Sequence, residues 1–183
     1  MEYRQSRTRS PLFKVILAGL FAALAIALNY LLIYIPNVKL FNLVIFVAGL
    51  FGGIYAGILS GAVASAIYSI FNPYNAGTFP PLPMLFAQIF CMALIGAAGG
   101  LTARLRIFET GALIIALKAG AIGAVLAILY NMIVTAAGAY LFGALKEAFV
   151  VGIPFMAINV GVNTIIFAVL MPLIVPVKYR LNL

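Results

Sequence analysis

Long apolar runs, broken by few polar positions, set the reading of this chain. Five such stretches fall at roughly 12–35, 38–71, 82–103, 111–141 and 148–177. Each can hold the ~20 residues that a helix needs to cross a bilayer. The second is too long for one crossing. Its 34 residues would extend about 51 Å as a single helix, against a hydrocarbon core of about 30 Å. The run GLFGGIYAG lies inside it, and paired glycines weaken a helix and permit a turn. A break at Gly52-Gly53 divides the stretch into 38–51 and 53–71.

The charges favour that division. With the break, the chain is an all-α integral membrane protein of six transmembrane helices, its N- and C-termini cytoplasmic. Its spans are approximately 12–35, 38–51, 53–71, 82–103, 111–141 and 148–177. Arg4, Arg7, Arg9, Lys14, Arg104, Arg106, Lys178 and Arg180 then lie on the cytoplasmic side, with only Lys39 and Lys146 outside. This asymmetry satisfies the positive-inside rule. With five spans, Arg104 and Arg106 would face outward. Lys118 falls near the inner end of the fifth helix, within snorkelling reach of the interface. Pro154 and Pro172 are expected to kink the last helix.

Composition agrees with this reading. Of 183 residues, 66% are hydrophobic and 8% charged, where soluble domains carry about 25% charged residues. Residues 1–183 read as one multi-pass domain of the cell membrane, with no room for a soluble one and no cleavable signal peptide. The net charge of +8 sits at span ends and sets topology. The single cysteine, Cys91, rules out an internal disulfide. A soft-metal ligand there is conceivable, but a small packing residue is the simpler reading.

Chemistry is conspicuously missing. The chain has no His and no Asp, and its only acids are Glu2, Glu109 and Glu147, at or outside the span ends. A proton- or sodium-driven transporter usually keeps a carboxylate within the membrane. A metalloprotease needs His ligands, a hydrolytic triad needs a base, and no phosphate-binding loop is present. The sequence therefore points to a non-enzyme with no energy source of its own.

Polar residues mark a candidate site. FNPYNAGTFPPLP, 71–83, is a stiff proline-rich loop on the outer side. Its Asn72, Tyr74, Asn75 and Phe79 offer hydrogen bonds and flat apolar faces to an organic ligand. An interfacial turn with an aromatic belt would look similar. Within the spans, Asn29 and Tyr30 lie about 9 Å below the outer end of helix 1, with Gln88 at similar depth. Tyr130 and Asn131 lie about 15 Å down the fifth helix, and Asn159 and Asn163 share one face of the sixth. Any one amide could simply bond a neighbouring helix. The whole set, gathered in the outer half beneath a stiff loop, is better explained by an outward-opening polar pocket. Lys39, Lys146 and Glu147 read as solvated anchors. On helix 1, Ala18, Ala22, Gly19, Ala23 and Ala27 give overlapping small-xxx-small spacings, which let another helix approach closely.

Three patterns together resemble the substrate-binding S components of energy-coupling factor (ECF) vitamin transporters. They are the AxxxA pairs Ala18 to Ala22 and Ala23 to Ala27, the stretch LFNLVIFVAGLFGGIYAGILSGAVAS at 40–65, and FNPYN…PPLPMLFAQIF followed by LIGAAGGL at 71–101. The resemblance covers nearly the whole chain. It implies a subunit that binds a micronutrient in an outward cavity. A transmembrane coupling protein and two cytoplasmic ATPases would supply the energy, and the subunit would topple in the membrane to deliver its cargo. Ala18, Ala22, Ala23 and Ala27 would then face the coupling protein. The amide character of the pocket and the NP…PP loop point to cobalamin as substrate, ahead of biotin, riboflavin or lipoate. A small, strongly charged ligand is disfavoured, and the absence of His disfavours a nickel or cobalt ion. A stand-alone facilitator or channel and a ligand-free scaffold are the competing readings.

Overall fold

A computed structural model describes residues 10–34, 40–72, 79–143 and 145–180. These residues form helices α1 (Pro11–Leu31), α2 (Phe41–Ile70), α3 (Leu82–Arg104), α4 (Ala112–Phe142) and α5 (Leu145–Arg180), and no strand. All five are long and apolar enough to cross a membrane. Their outward faces are apolar too: Leu20 on α1, Phe86 on α3, Leu117 on α4 and Ile165 on α5 are each more than 60% exposed. Such a surface suits lipid and marks a multi-pass membrane protein.

Helix ends follow local chemistry. Ser10 caps α1, its hydroxyl accepting the Phe13 N–H at 3.3 Å, and Pro11 takes the first turn, where its missing N–H costs nothing. At the other end of the chain, α4 stops at Gly143 in the left-handed conformation (φ 65°), and α5 begins two residues on. Between α3 and α4, Lys118 donates from Nζ to the Ile107 carbonyl at 3.0 Å, so its ammonium ties down this connection. The expected kink sites Pro154 and Pro172, and Pro176 as well, all lie inside the 36-residue α5.

α2 departs from a straight rod at Gly53, whose φ of 84° and ψ of 177° belong to a region essentially reserved for glycine. The chain folds back there. Phe41 and Tyr68 sit near opposite ends of α2, yet their ring centroids are 5.6 Å apart. In a straight helix, 27 residues would separate them by about 40 Å. A Cβ on Gly57 would lie 2.7 Å from the Gly49 Cα, so the arms on either side of Gly53 run antiparallel in close contact. The break foreseen at Gly52-Gly53 is present, at Gly53.

The first arm is the centre of the molecule. Every residue from 41 to 50 is buried, as befits a helix that is apolar all round. α1 and α3 pack on α2, and α4 pairs with α5. Small residues permit the closest approaches. A Cβ on Gly96 would strike the Gly57 carbonyl, and one on Gly99 would strike that of Phe46. Backbone thus meets backbone between α2 and α3. Beyond the arms lies an aromatic core, where Phe46 meets Phe167 (ring centroids 5.3 Å) and Phe108 (6.4 Å) edge-on.

One interface expectation needs correction. Ala18, Ala22 and Ala25 of α1 are 1%, 3% and 0% exposed. They lie inside the protein, on the side of α1 that packs on α2, so Ala18 and Ala22 are not available to another protein. Ala23 and Ala27 face outward together with Gly19, where an added Cβ would meet nothing within 4 Å.

Candidate functional site

At the end of the bundle opposite the α3–α4 connection, the helices part around a cavity of about 270 Å³. Every helix contributes to its wall. α1 brings Asn29, the first arm of α2 brings Phe41 and Asn42, and the second arm brings Ser65, Tyr68 and Ser69. Asn72 and the segment Phe79-Pro80-Pro81 stand at the rim, followed by Met84, Gln88 and Met92 from α3. Tyr130 and Asn131 of α4 and Asn159 of α5 complete it. No described lining residue carries a charge.

A chain of amides organises the deep side. Asn42 Nδ2 donates to Asn163 Oδ1 at 3.0 Å. Asn163 Nδ2 donates to the Asn159 carbonyl at 2.9 Å and to Asn159 Oδ1 at 3.3 Å. Asn131 Nδ2 donates to Asn159 Oδ1 at 3.0 Å and to the Ala127 carbonyl at 2.7 Å. The network joins α2, α4 and α5 in surroundings where an unpaired amide would be costly. It also fixes which way the amides point. Asn159 Oδ1 accepts twice, which leaves its Nδ2 as a donor toward the cavity. Both Nδ2 protons of Asn131 are used, which leaves Oδ1 as an acceptor.

The opposite wall is aromatic. Tyr68 packs against Phe41 and, at 5.5 Å between ring centroids, against Tyr30. Tyr30 does not line the cavity; its hydroxyl donates to the Phe71 carbonyl at 2.9 Å, so it braces Tyr68 from behind. Nearby, Ser69 Oγ donates to Gln88 Oε1 at 2.6 Å, which orients the Gln88 amide with Nε2 unspent.

Of the residues singled out in the sequence, Asn29, Asn72, Phe79, Gln88, Tyr130, Asn131 and Asn159 come together around this one cavity. Tyr30 and Asn163 do not line it: the first is a brace, and the second spends its whole amide on Asn42 and Asn159. Tyr74 and Asn75, like Lys39, lie outside the described residues. Lys146 and Glu147 are exposed at the start of α5 and Cys91 is buried in α3; none of the three lines the cavity.

No protein-family model, curated protein or solved structure matches this chain. The site is therefore read from its own geometry.

That geometry includes residues the sequence reading passed over. Ser65, Tyr68 and Ser69 all line the cavity, beside the expected Asn72. With Asn72, just past the end of α2, they are spaced i, i+3, i+4 and i+7, a polar stripe in a largely apolar stretch, and that periodicity was available as a signal. Asn42 is a lone amide in an apolar run. Phe41, Met84 and Met92 look like any core residue and carried no signal. Chemically, the wall offers neutral donors, neutral acceptors and aromatic faces. Its described residues include no carboxylate, imidazole, amine or thiol.

Proposed function

We propose that this protein is the substrate-binding subunit of a driven membrane importer, similar to the S components of ECF vitamin transporters. The observation that carries the reading is the cavity. Uncharged polar and aromatic side chains from all five helices converge on it, which is the usual make-up of a small-molecule site. A scaffold has no need of such convergence.

On this reading both arms of α2 count as crossings, which gives six. The basic residues near 104–106 and 178–180 then face the cytoplasm with both termini, in the cell membrane, and the cavity opens outward. The first arm is short, and its complete burial among other helices relieves it of matching the bilayer alone. A transmembrane coupling protein and two cytoplasmic ATPases would supply the energy that this chain lacks. The outward stripe of Gly19, Ala23 and Ala27 is the face of α1 that could meet such a partner.

The substrate would be a vitamin-type nutrient. A cavity of about 270 Å³ lies just under the ~300–1,000 Å³ range of ligand pockets. It suits a compact molecule better than cobalamin, whose corrin ring and nucleotide loop need far more room. A facilitator or channel reading is disfavoured by the edge-on rings of Phe46, Phe108 and Phe167, which fill the bundle beyond the cavity.

Native mass spectrometry of mildly purified protein tests the proposal. A small molecule retained at one per chain is expected. A protein that is empty as purified, and still empty after incubation with a vitamin panel including cobalamin, would sink it in favour of a scaffold. Transport by the purified chain alone in liposomes would revive the facilitator.

A further inference from the structure

Asn29 is 3% exposed and lines the cavity, yet its amide makes no hydrogen bond with any other residue. Among the described residues only Ser60 Oγ is wholly shut off from solvent without a partner, so the Asn29 amide keeps its access to the cavity and both its ends are open there. Its neighbours show the same partial use. Asn159 Nδ2 and Gln88 Nε2 remain as donors, and Asn131 Oδ1 and Asn42 Oδ1 as acceptors, because the bonds within the protein consume only the other half of each group. Donors and acceptors are thus both on offer, and all are neutral. The rings of Phe41 and Tyr68 add flat faces.

We propose that the cavity recognises an uncharged, planar heterocycle whose edge carries both amide-type N–H donors and carbonyl acceptors. This rests on the ligand-binding reading given above. A cyclic amide, imide or ureide edge matches mixed amide vacancies of both signs, while its face stacks on the aromatic wall. A carboxylate or ammonium would enter a low-dielectric site with no opposite charge among its described lining residues, and burying an unpaired charge is far more costly than burying an amide. Asn29 is the lining amide of which no part is used within the protein, so all of it is open to the ligand.

Matched pairs of probes that differ in one charge test this. They are uracil and orotate, nicotinamide and nicotinate, and pterin and pterin-6-carboxylate. Equilibrium dialysis against the detergent-purified full chain gives each affinity. At least one neutral member should bind, with its carboxylate partner weaker by about tenfold or more, the effect of ~1.4 kcal/mol. Asn29→Leu should weaken the neutral member by about tenfold as well, with an unchanged helical circular dichroism spectrum.

A carboxylate member that binds as tightly as its neutral partner would overturn the proposal; so would unchanged affinity in Asn29→Leu. Binding by none of the six would overturn it too. Retained small-molecule mass in the native spectrum would then leave the ligand-binding reading standing while its chemical class falls; an empty spectrum would remove both.

Discussion

Replacing Gly53 by alanine isolates the feature on which the whole bundle turns. At φ 84° and ψ 177°, an L-residue other than glycine is strained, at a cost of about 1–3 kcal/mol. No steric term enters, because a Cβ on Gly53 would meet nothing within 4 Å. Gly19→Ala is the matching control: it adds the same methyl to open space, inside regular helix, and alanine should be neutral or better there. The readout is built in. Cys91, the chain's single cysteine, is 3% exposed, so a maleimide dye that fluoresces on reaction with a thiol reports unfolding. At about 2–4 °C per kcal/mol for a chain of this length, Gly53→Ala should lower the midpoint by about 2–12 °C. Gly19→Ala should leave it level or raise it. An unchanged or higher midpoint for Gly53→Ala would refute the reasoning. It would mean that α2 tolerates helical geometry at 53, as in a straight rod that carries Phe41 about 40 Å from Tyr68.

Sidedness follows from the charges. In a Cys91→Ala background, a cysteine at Lys146 should react with a membrane-impermeant thiol reagent on intact cells, and one at Glu109 should not; the reverse pattern would invert the topology. Ala22→Trp should destabilise the fold, because Ala22 is 3% exposed and overpacking costs about 1–3 kcal/mol. Ala23→Trp should fold normally and abolish coupled uptake, and normal uptake by that variant would remove α1 from any coupling contact. Gln88→Leu should weaken ligand binding by about 3- to 10-fold, the worth of one hydrogen bond, and unchanged affinity would place the ligand elsewhere. Asn163→Leu should lower the midpoint seen by the Cys91 dye, at about 0.6–1.7 kcal/mol per interhelical bond lost, and leave affinity largely intact; a tenfold loss of affinity would make Asn163 more than a brace.

Sequence alone exposed the amides, because an asparagine in an apolar run must be satisfied by something and so draws notice. It did not show which partner satisfies each. Asn159 and Asn163 share a helix face, yet Asn163 lies one turn further on, where Asn42 reaches it and the cavity does not. The rotation of α1 was ambiguous for a similar reason. Ala18–Ala22 and Ala23–Ala27 are equally small, and either could have faced inward. Asn29 could have decided it. With Ala18, Ala22 and Ala25 it forms one buried line along α1, and Asn29 is the member of that line that reaches the cavity. The folded-back α2 was legible from its excess length and paired glycines. The contribution of its second arm was written in the spacing of Ser65, Tyr68 and Ser69, but went unread because so apolar a stretch reads first as a span.

Amides suit this arrangement in a way that charges and hydroxyls do not. Each carries a donor end and an acceptor end on a rigid plane, so one end can lock onto a neighbouring helix while the other faces the cavity. Asn131 and Asn159 do this across α4 and α5, and Gln88 does it against Ser69. The bonds that pack the helices therefore also aim the free groups, and little ordering is left to be done when a ligand arrives. A lysine or glutamate at the same positions would bring a desolvation penalty with nothing opposite to relieve it. This divides the polar residues into two kinds. Asn163 is spent entirely within the protein and should govern stability, Asn29 is spent nowhere within it and should govern affinity, and Asn159, shared between the two, should move both together.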